Sequence, residues 1–414
     1  MRICMLIQSY WGGAEGGAER QCRKQAHALA ALGHDITILT RWPGFFVPLR
    51  QADESIKIIR VGLFEPVWIW VMWLRSKLLS ASFQQKKEEE HALRGGPHKE
   101  VASQKKGVLY PLRVFVEVFF ILGVWCWVRR RRQSIDVLHI HESHWIAGVG
   151  AWLGKKYNIL VVSKVATFPA LPLITSAVPF RSKWESERKY ANYIALNDAL
   201  RKELLQEGIQ EAKITIIPNG VDIPDRIVKS NENLNVLFIG NFSQGRSKGF
   251  DVLFAAWEKI FRDFPKRRLV LLGGGDPTYW QQTVQEHGME DAVEFIGFTT
   301  DIERHILDSA LLVLPSRFEG MSNALLEAMS YGLPPVVSDI LANTELVSDG
   351  VNGRVVPVED PDRLASAISE LLSSAEERKR LGAAARATVE EKYALPRVVD
   401  RILSLYKTLL VTRI

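Results

Sequence analysis

Two glutamates with seven residues between them, Glu319 and Glu327, flank a stretch of chain suited to holding an anion. The segment Leu311–Val337 reads as a strand (LLVLP), a loop over Ser316–Met321 and a helix that begins near Ser322. Open α/β sheets bind ligands beyond the carboxyl ends of their strands, so this loop lies where a ligand should sit. The free backbone N–H groups of Gly320, Met321, Ser322 and Asn323, with the helix dipole behind them, favour an anion such as a diphosphate. Gly320 has no Cβ to keep a ligand away from the backbone. A carboxylate beside a bound anion is repelled unless it accepts hydrogen bonds from neutral hydroxyls, and sugars carry such hydroxyls. Spacing alone leaves the bland alternative open, in which Glu319 is a loop surface charge and Glu327 a solvated helix residue.

Other residues offer complementary chemistry. The loop Asn241–Gly249 follows a strand and carries Arg246 and Lys248, two cations able to neutralise a departing diphosphate. The alternative is a solvated basic loop. The strand Asp136–Ile140 ends in a loop with His139, His141, Glu142, Ser143 and His144. A lone histidine is more often a satisfied polar residue than a ligand. Gly12, Gly13, Gly16 and Gly17 lie between the first strand and helix, but no G-x-G-x-x-G occurs there or at Gly273–Gly275, which weakens a nicotinamide reading. Asp360-Pro361-Asp362 reads as a helix start, with Asp360 as cap and Pro361 at the first helical position, so no metal is predicted.

The elements that must position these residues alternate strand and helix through 414 residues, enough for two α/β domains. The first half predicts strands at Arg2–Ile7, Ile36–Leu39, Asp136–Ile140, Ile159–Val162 and Ile214–Ile217, with a helix over Ala18–Leu32 stopped by Gly33. The second half predicts strands at Val236–Ile239, Leu269–Leu272, Val293–Ile296, Leu311–Leu314 and Pro335–Val337, with helices between them, then helices at Leu364–Leu372 and Val398–Leu410. The domain reading is 1–220, 221–392, and a C-terminal helix in 393–414 packing back on the first domain. Residues 66–132 stand apart. Val67–Leu74 (VWIWVMWL) is apolar, Gln84–Gly107 is polar and reads as a loop, and Val114–Val128 is apolar but shorter than a bilayer span. That last run predicts either a buried helix or an interfacial element, with Arg129–Arg132 on anionic lipid.

The net charge of +6 conceals an asymmetry. Residues 1–218 carry 31 Lys and Arg against 19 Asp and Glu, and the remainder 22 against 28. The basic half suits an anionic membrane surface. Nucleic acid is a poor partner, since no reader motif accompanies the charge. Cys4, Cys22 and Cys126 form no metal or disulfide pattern, and no signal peptide is visible, so a cytoplasmic protein is expected, peripheral to the membrane if the interfacial reading holds.

Taken in order, the segments GGAERQ, ALAALGHDITILT, DVLHIHE, IIPNGVD, SKGFDVLFAAW, GGGDPTYW, VEFIGF, PSRFEGMSNALLEAMSYGLP and SDGVNGRVV resemble the retaining family 4 glycosyltransferases of GT-B fold along nearly the whole chain. The resemblance implies two doubly wound Rossmann-like domains facing a cleft. It implies that Glu327 binds the ribose of a nucleotide diphosphate sugar and Glu319 the donor sugar, with the backbone of Gly320–Asn323 on sugar and distal phosphate. Gly16 and Gly17 would face the diphosphate, His141 would contact the sugar, and Lys248 would match the family lysine. The usual arginine is absent, because Gly240-Asn241 stands where the family has Gly-Arg; Arg246 is the nearest substitute. Alignment also puts Ala166 where the family often has histidine. The implied activity is sugar transfer to a hydroxyl, with no metal or other cofactor, and a lipid-linked saccharide as the acceptor that the basic half suggests. A soluble saccharide acceptor and an epimerase of the same fold are the rivals.

Overall fold

The computed structural model describes residues 1–10, 16–43, 47–62, 110–141, 145–166, 180–228 and 235–412. Its strands are β1 (Arg2–Leu6), β2 (Asp35–Arg41), β3 (Arg50–Asp53), β4 (Ile56–Val61), β5 (Val137–Ile140), β6 (Leu160–Val165), β7 (Asn192–Ala195) and β8 (Ile214–Ile216), followed by β9 (Asn235–Ile239), β10 (Leu269–Leu272), β11 (Val293–Gly297), β12 (Ser309–Leu314), β13 (Pro335–Ser338) and β14 (Arg354–Val356). They form two sheets, ordered β3-β4-β2-β1-β5-β6-β7-β8 and β11-β10-β9-β12-β13-β14. All pairings are parallel except the β3–β4 edge hairpin. The central strands β5, β6, β10 and β12 are buried at every position, as expected of strands covered by helices on both faces. The architecture is two Rossmann-like α/β sheets.

Most predicted elements sit within two or three residues of their observed limits. The first helix spans Gly17–Ala31, and Gly33 at φ +82 ends it. The strands β3, β4, β7 and β14 and the helix Ala375–Lys392 were not foreseen. β3, β7 and β14, of three or four residues, are too short to display a period, Lys57 and Arg60 interrupt the apolar run of β4, and the unforeseen helix is mostly polar. The helix after β9 ends at Ile260 rather than near Phe264.

The apolar run Val114–Val128 lies inside a helix, Tyr110–Arg131, longer than the run itself. Phe120, Val124 and Val128, four positions apart, are buried in the core. Glu117, the charge inside that run, accepts a hydrogen bond from Arg41 Nη2 at 2.5 Å. Phe115 and Leu122 on the same helix are exposed. Among the described residues no helix is long and apolar enough to cross a membrane. The runs Val67–Leu74 and Gln84–Gly107 lie outside the described residues.

The C-terminal helix Leu395–Val411 places Leu395, Val398, Val399, Ile402, Leu403 and Tyr406 in one core with Ile3, Met5, Cys22, Ile38 and Val137 of the first sheet and its helix. The i, i+3, i+4, i+7 spacing of those residues supplies the buried stripe. The chain therefore leaves the second sheet and closes back on the first.

In each sheet the chain reverses its direction of strand addition once, between β1 and β5 and between β9 and β12. Gly249 helps set the second of these places. Its φ is +75, and a Cβ there would stand 2.1 Å from the Pro315 carbonyl oxygen. Gly249→Ala is expected to cost about 2–4 kcal/mol of unfolding free energy, from the left-handed backbone and the forced separation of the two loops. Urea denaturation checks it, and a wild-type midpoint would contradict the close approach.

Candidate functional site

The crevice at a strand-order reversal is the preferred ligand site of an open α/β sheet. In the second sheet it lies between the loop after β9 and the loop after β12. The residues singled out from sequence fall on those two loops. Ser322 caps the helix Asn323–Ser330 by accepting from Leu325 N at 3.2 Å. Among the described residues no backbone N–H from Gly320 to Asn323 donates to a protein acceptor, so the helix start has the free donors an anion needs. Glu319 meets Lys248 from the other loop, Oε1 to Nζ at 2.7 Å, and accepts from Ser316 Oγ at 3.0 Å. The side chains are only 9% exposed for Glu319 and 17% for Lys248. Glu319 is thus no solvated loop charge. A carboxylate so removed from water requires the ammonium and hydroxyl it has.

Arg317 rivets the same two loops together. Nη1 and Nη2 fork onto Asp251 at 2.8 and 2.9 Å, Nε donates to Glu359 at 2.8 Å, and Nη1 also donates to the Arg246 carbonyl at 2.5 Å. The hydrogen bonds to Asp251, ahead of those to Glu359, raise its guanidinium pKa further. The backbone adds Arg317 N to Ser247 O at 2.9 Å. Sequence reasoning missed Arg317, because its partners stand 66 and 42 residues away. Arg246 itself makes no such side-chain tie. Its side chain is exposed, with no hydrogen bond or ion pair among the described residues. Asn241, at the position of the usual arginine, instead accepts from Ser243 N at 2.9 Å and shapes its turn.

The first domain faces this loop pair across short contacts. Arg20 Nη1 lies 3.5 Å from Glu327 Oε2. Asn323 Nδ2 donates to the Gly17 carbonyl at 3.2 Å. A Cβ on Gly17 would stand 2.8 Å from that Asn323 nitrogen, so a larger residue would push the Asn323 side chain from its bond. Gly16 precedes the helix as its N-cap. Gly12, Gly13, Glu142, Ser143 and His144 lie outside the described residues. Arg20 was missed, although it follows Glu19 in the GGAERQ segment and basic residues near a helix start are unusual.

His141 follows β5 at the first sheet's strand-order reversal, and its backbone N–H donates to Leu6 O at 2.9 Å. It is 4% exposed and stacks on His139 with ring centroids 4.4 Å apart. His139 Nδ1 and the Tyr406 hydroxyl are 2.5 Å apart, so His139 is structural, held by the C-terminal helix. Burial, then neighbouring His139 and Lys164, hold His141 well below the ordinary imidazole range. Burial, then Lys164, brings His139 to about 3. His141 is therefore a neutral imidazole, a hydrogen-bonding group rather than a cation. Lys164, unremarked in the sequence, is 2% exposed, and burial pulls its ammonium down to about 7. Cys4 and Cys22 are buried, and no described cysteine is in a disulfide. The Asp360 carboxylate caps its helix by accepting from Arg363 N at 2.9 Å. Among the described residues no three His, Cys, Asp or Glu side chains are grouped to hold a metal.

The chain resembles known proteins in sequence and in fold. The family described as glycosyl transferases group 1 matches residues 233–374, and that described as glycosyl transferase 4-like domain matches residues 16–220. The chain is 30% identical over 286 residues to a phosphatidyl-myo-inositol mannosyltransferase of Mycolicibacterium smegmatis, covering 66% of this chain and 72% of the relative. It is 24% identical to an uncharacterized glycosyltransferase of Methanocaldococcus jannaschii over 98% of each. Among solved structures, sucrose-phosphate synthase from Thermosynechococcus elongatus superimposes with a TM-score of 0.74 at 20% identity over 100% of each chain. Anabaena HepE in complex with UDP-glucose does so with a TM-score of 0.67 at 19% identity, over 99% of this chain and 100% of that one. These solved structures share the GT-B fold.

The buried histidines make the fold acid-sensitive. An imidazole whose folded pKa lies below its unfolded value binds its proton first in the unfolded chain. Its stability contribution is whole above about pH 6.5 and falls as the pH drops. Unfolding free energies from urea denaturation should fall as the pH drops from about 6.5 to 4.5, by up to about 1.4 kcal/mol per pH unit for His139, with His141 adding in the same direction. A flat profile over that window would contradict their burial as neutral rings.

Proposed function

The chain belongs to the group 1 glycosyltransferases, and on that premise we propose that it moves a glycosyl group, with retention of configuration, from a nucleotide diphosphate sugar to a hydroxyl of a lipid-linked saccharide. The observation that carries the reading is the buried Lys248–Glu319 pair at 2.7 Å, beside the free N–H groups of the donor loop. Glu319 accepts from donor-sugar hydroxyls, and Glu327, with Arg20 at 3.5 Å, from the ribose. The acceptor oxygen attacks the anomeric carbon on the face from which the phosphate leaves. The bond from that carbon to the phosphate oxygen breaks, and the acceptor proton passes to the departing phosphate. Lys248 and the N–H groups of Gly320–Asn323 offset the developing charge, each such donor contributing on the order of 3 kcal/mol in a dry site. Arg246 is the second cation of that loop. His141, neutral and buried, offers a hydrogen bond to the sugar from the opposite wall. The roles require no metal.

The HepE complexes with UDP and with UDP-glucose support a nucleotide-sugar donor. The mannosyltransferase relative is named for a phosphatidyl-myo-inositol substrate, which supports a lipid-borne acceptor. So do the cations that cover aromatic rings on the helix Tyr110–Arg131 and the helix Trp145–Tyr157. Arg131 lies 4.9 Å from the Trp127 ring centroid, Arg129 5.5 Å from Trp125, and Lys156 5.0 Å from Trp152. Indole rings and cations together suit the headgroup layer of an anionic membrane, and on this reading the protein works peripherally at its cytoplasmic side, in cell-surface polysaccharide synthesis.

Calorimetric titration with UDP-, GDP- and ADP-sugars tests the donor. Glu327→Gln should weaken donor binding roughly 10–100-fold, and Glu319→Gln should lower turnover about 100-fold while leaving Lys248 without its counter-charge. Wild-type activity in either variant would refute the division of roles, and turnover without any acceptor would indicate an epimerase. Flotation with vesicles containing anionic phospholipid should carry the protein at low salt and release it at high salt. Failure to float at low salt would remove the membrane from the reading.

A further inference from the structure

The helix Asp198–Gln206 in the first domain starts with Asn197, whose Oδ1 accepts from Leu200 N at 2.9 Å. Serine, threonine or aspartate would cap a helix as well. Capping uses only the amide oxygen. The other end of this amide, Nδ2, crosses to the second domain and donates to the Gly320 carbonyl at 2.6 Å. Asn197 is 1% exposed, so both hydrogen bonds are shielded from water. A second buried asparagine repeats the arrangement. Asn219, 3% exposed, donates from Nδ2 to Asn323 Oδ1 at 2.9 Å, and its backbone N–H lies 3.3 Å from Met321 Sδ. Beside Asn197, the backbone N–H of Asp198 donates to Glu345 Oε1 at 3.1 Å, which adds a third tie between the same helix start and the second domain.

The contacts of the two asparagines converge on Gly320, Met321 and Asn323, the segment with the free N–H groups. A cap that also donates requires an amide, since aspartate has no donor and serine is too short to serve both ends. We infer that Asn197, supported by Asn219, is a positioning residue for glycosyl transfer: it ties the carbonyl side of the donor loop to the first domain, so that the loop's N–H groups are held toward the cleft. The role rests on the reading of Gly320–Asn323 as the donor site. The tie itself is a property of the protein without substrate.

The test separates capping from tying. Asn197→Asp and Asn197→Ser keep the cap oxygen and lose the bond to Gly320. Hydrogen–deuterium exchange of the substrate-free protein is expected to be about tenfold faster in peptides covering 316–326 in both variants, with peptides covering 198–206 unchanged. Unchanged exchange at 316–326 overturns the proposal. Equal loosening of both regions also overturns it, since Asn197 would then be a helix cap alone. With the donor found by calorimetry, kcat should fall about tenfold in both variants while the donor KM changes less than about threefold. Wild-type kcat in a variant whose loop has loosened overturns the positioning role. The exchange arm needs no donor, so failure of the donor assignment and failure of the tie give different results.

Discussion

Lys248 and Glu319 stand 71 residues apart and meet at 2.7 Å with little access to water. Either charge alone in that place would keep little of its water and have no counter-charge, so each favours the other. The pairing reaches far into the second domain. It fixes how closely the loops after β9 and β12 approach, and that approach needs Gly249 at φ +75 against the Pro315 carbonyl. It needs the Arg317 fork on Asp251 to keep the loops in register. Ser316 takes up another lone pair of the carboxylate. The result is a preorganised pair beside free helix N–H groups. Such a site presents its charges to a ligand without first rearranging, which is the main source of electrostatic catalysis.

The opposite wall is built on another principle. His139, His141 and Lys164 are buried on one side of the first sheet, and burial disfavours the charged form of each. This part of the first sheet thus offers neutral imidazoles, while Arg20 on the first helix carries a charge toward Glu327. The contacts between the two domains are short-ranged: a carbonyl of Gly17, amides of Asn197 and Asn219, and the Arg20–Glu327 pair at 3.5 Å. Hydrogen bonds of this kind are directional and individually modest. The C-terminal helix adds a fixed point. It leaves the second domain, buries its apolar stripe on the first sheet and bonds His139 through Tyr406.

Much of this was legible in the sequence, because its causes are local. The alternation of short apolar runs with amphipathic stretches determined two parallel sheets flanked by helices. Gly33, Ser322 and Asp360-Pro361 marked helix ends through their own backbone and side-chain preferences. The strand–loop–helix pattern around Glu319, Gly320 and Glu327 marked a loop at the carboxyl end of a strand and a helix start, which β12 and the helix Asn323–Ser330 bear out. What only the tertiary structure decided is pairing between distant residues. Lys248 with Glu319, Arg317 with Asp251 and Glu359, Arg20 with Glu327, and Asn197 with Gly320 leave no periodic trace along the chain. The same holds for Arg246 standing exposed while Lys248 is paired and largely covered, and for burial that disfavours the charged form of His141. Local sequence sets backbone conformation through sterics and capping. The state of a charge depends on how much water the whole fold removes from around it, and that is settled only when the two sheets and the final helix have come together.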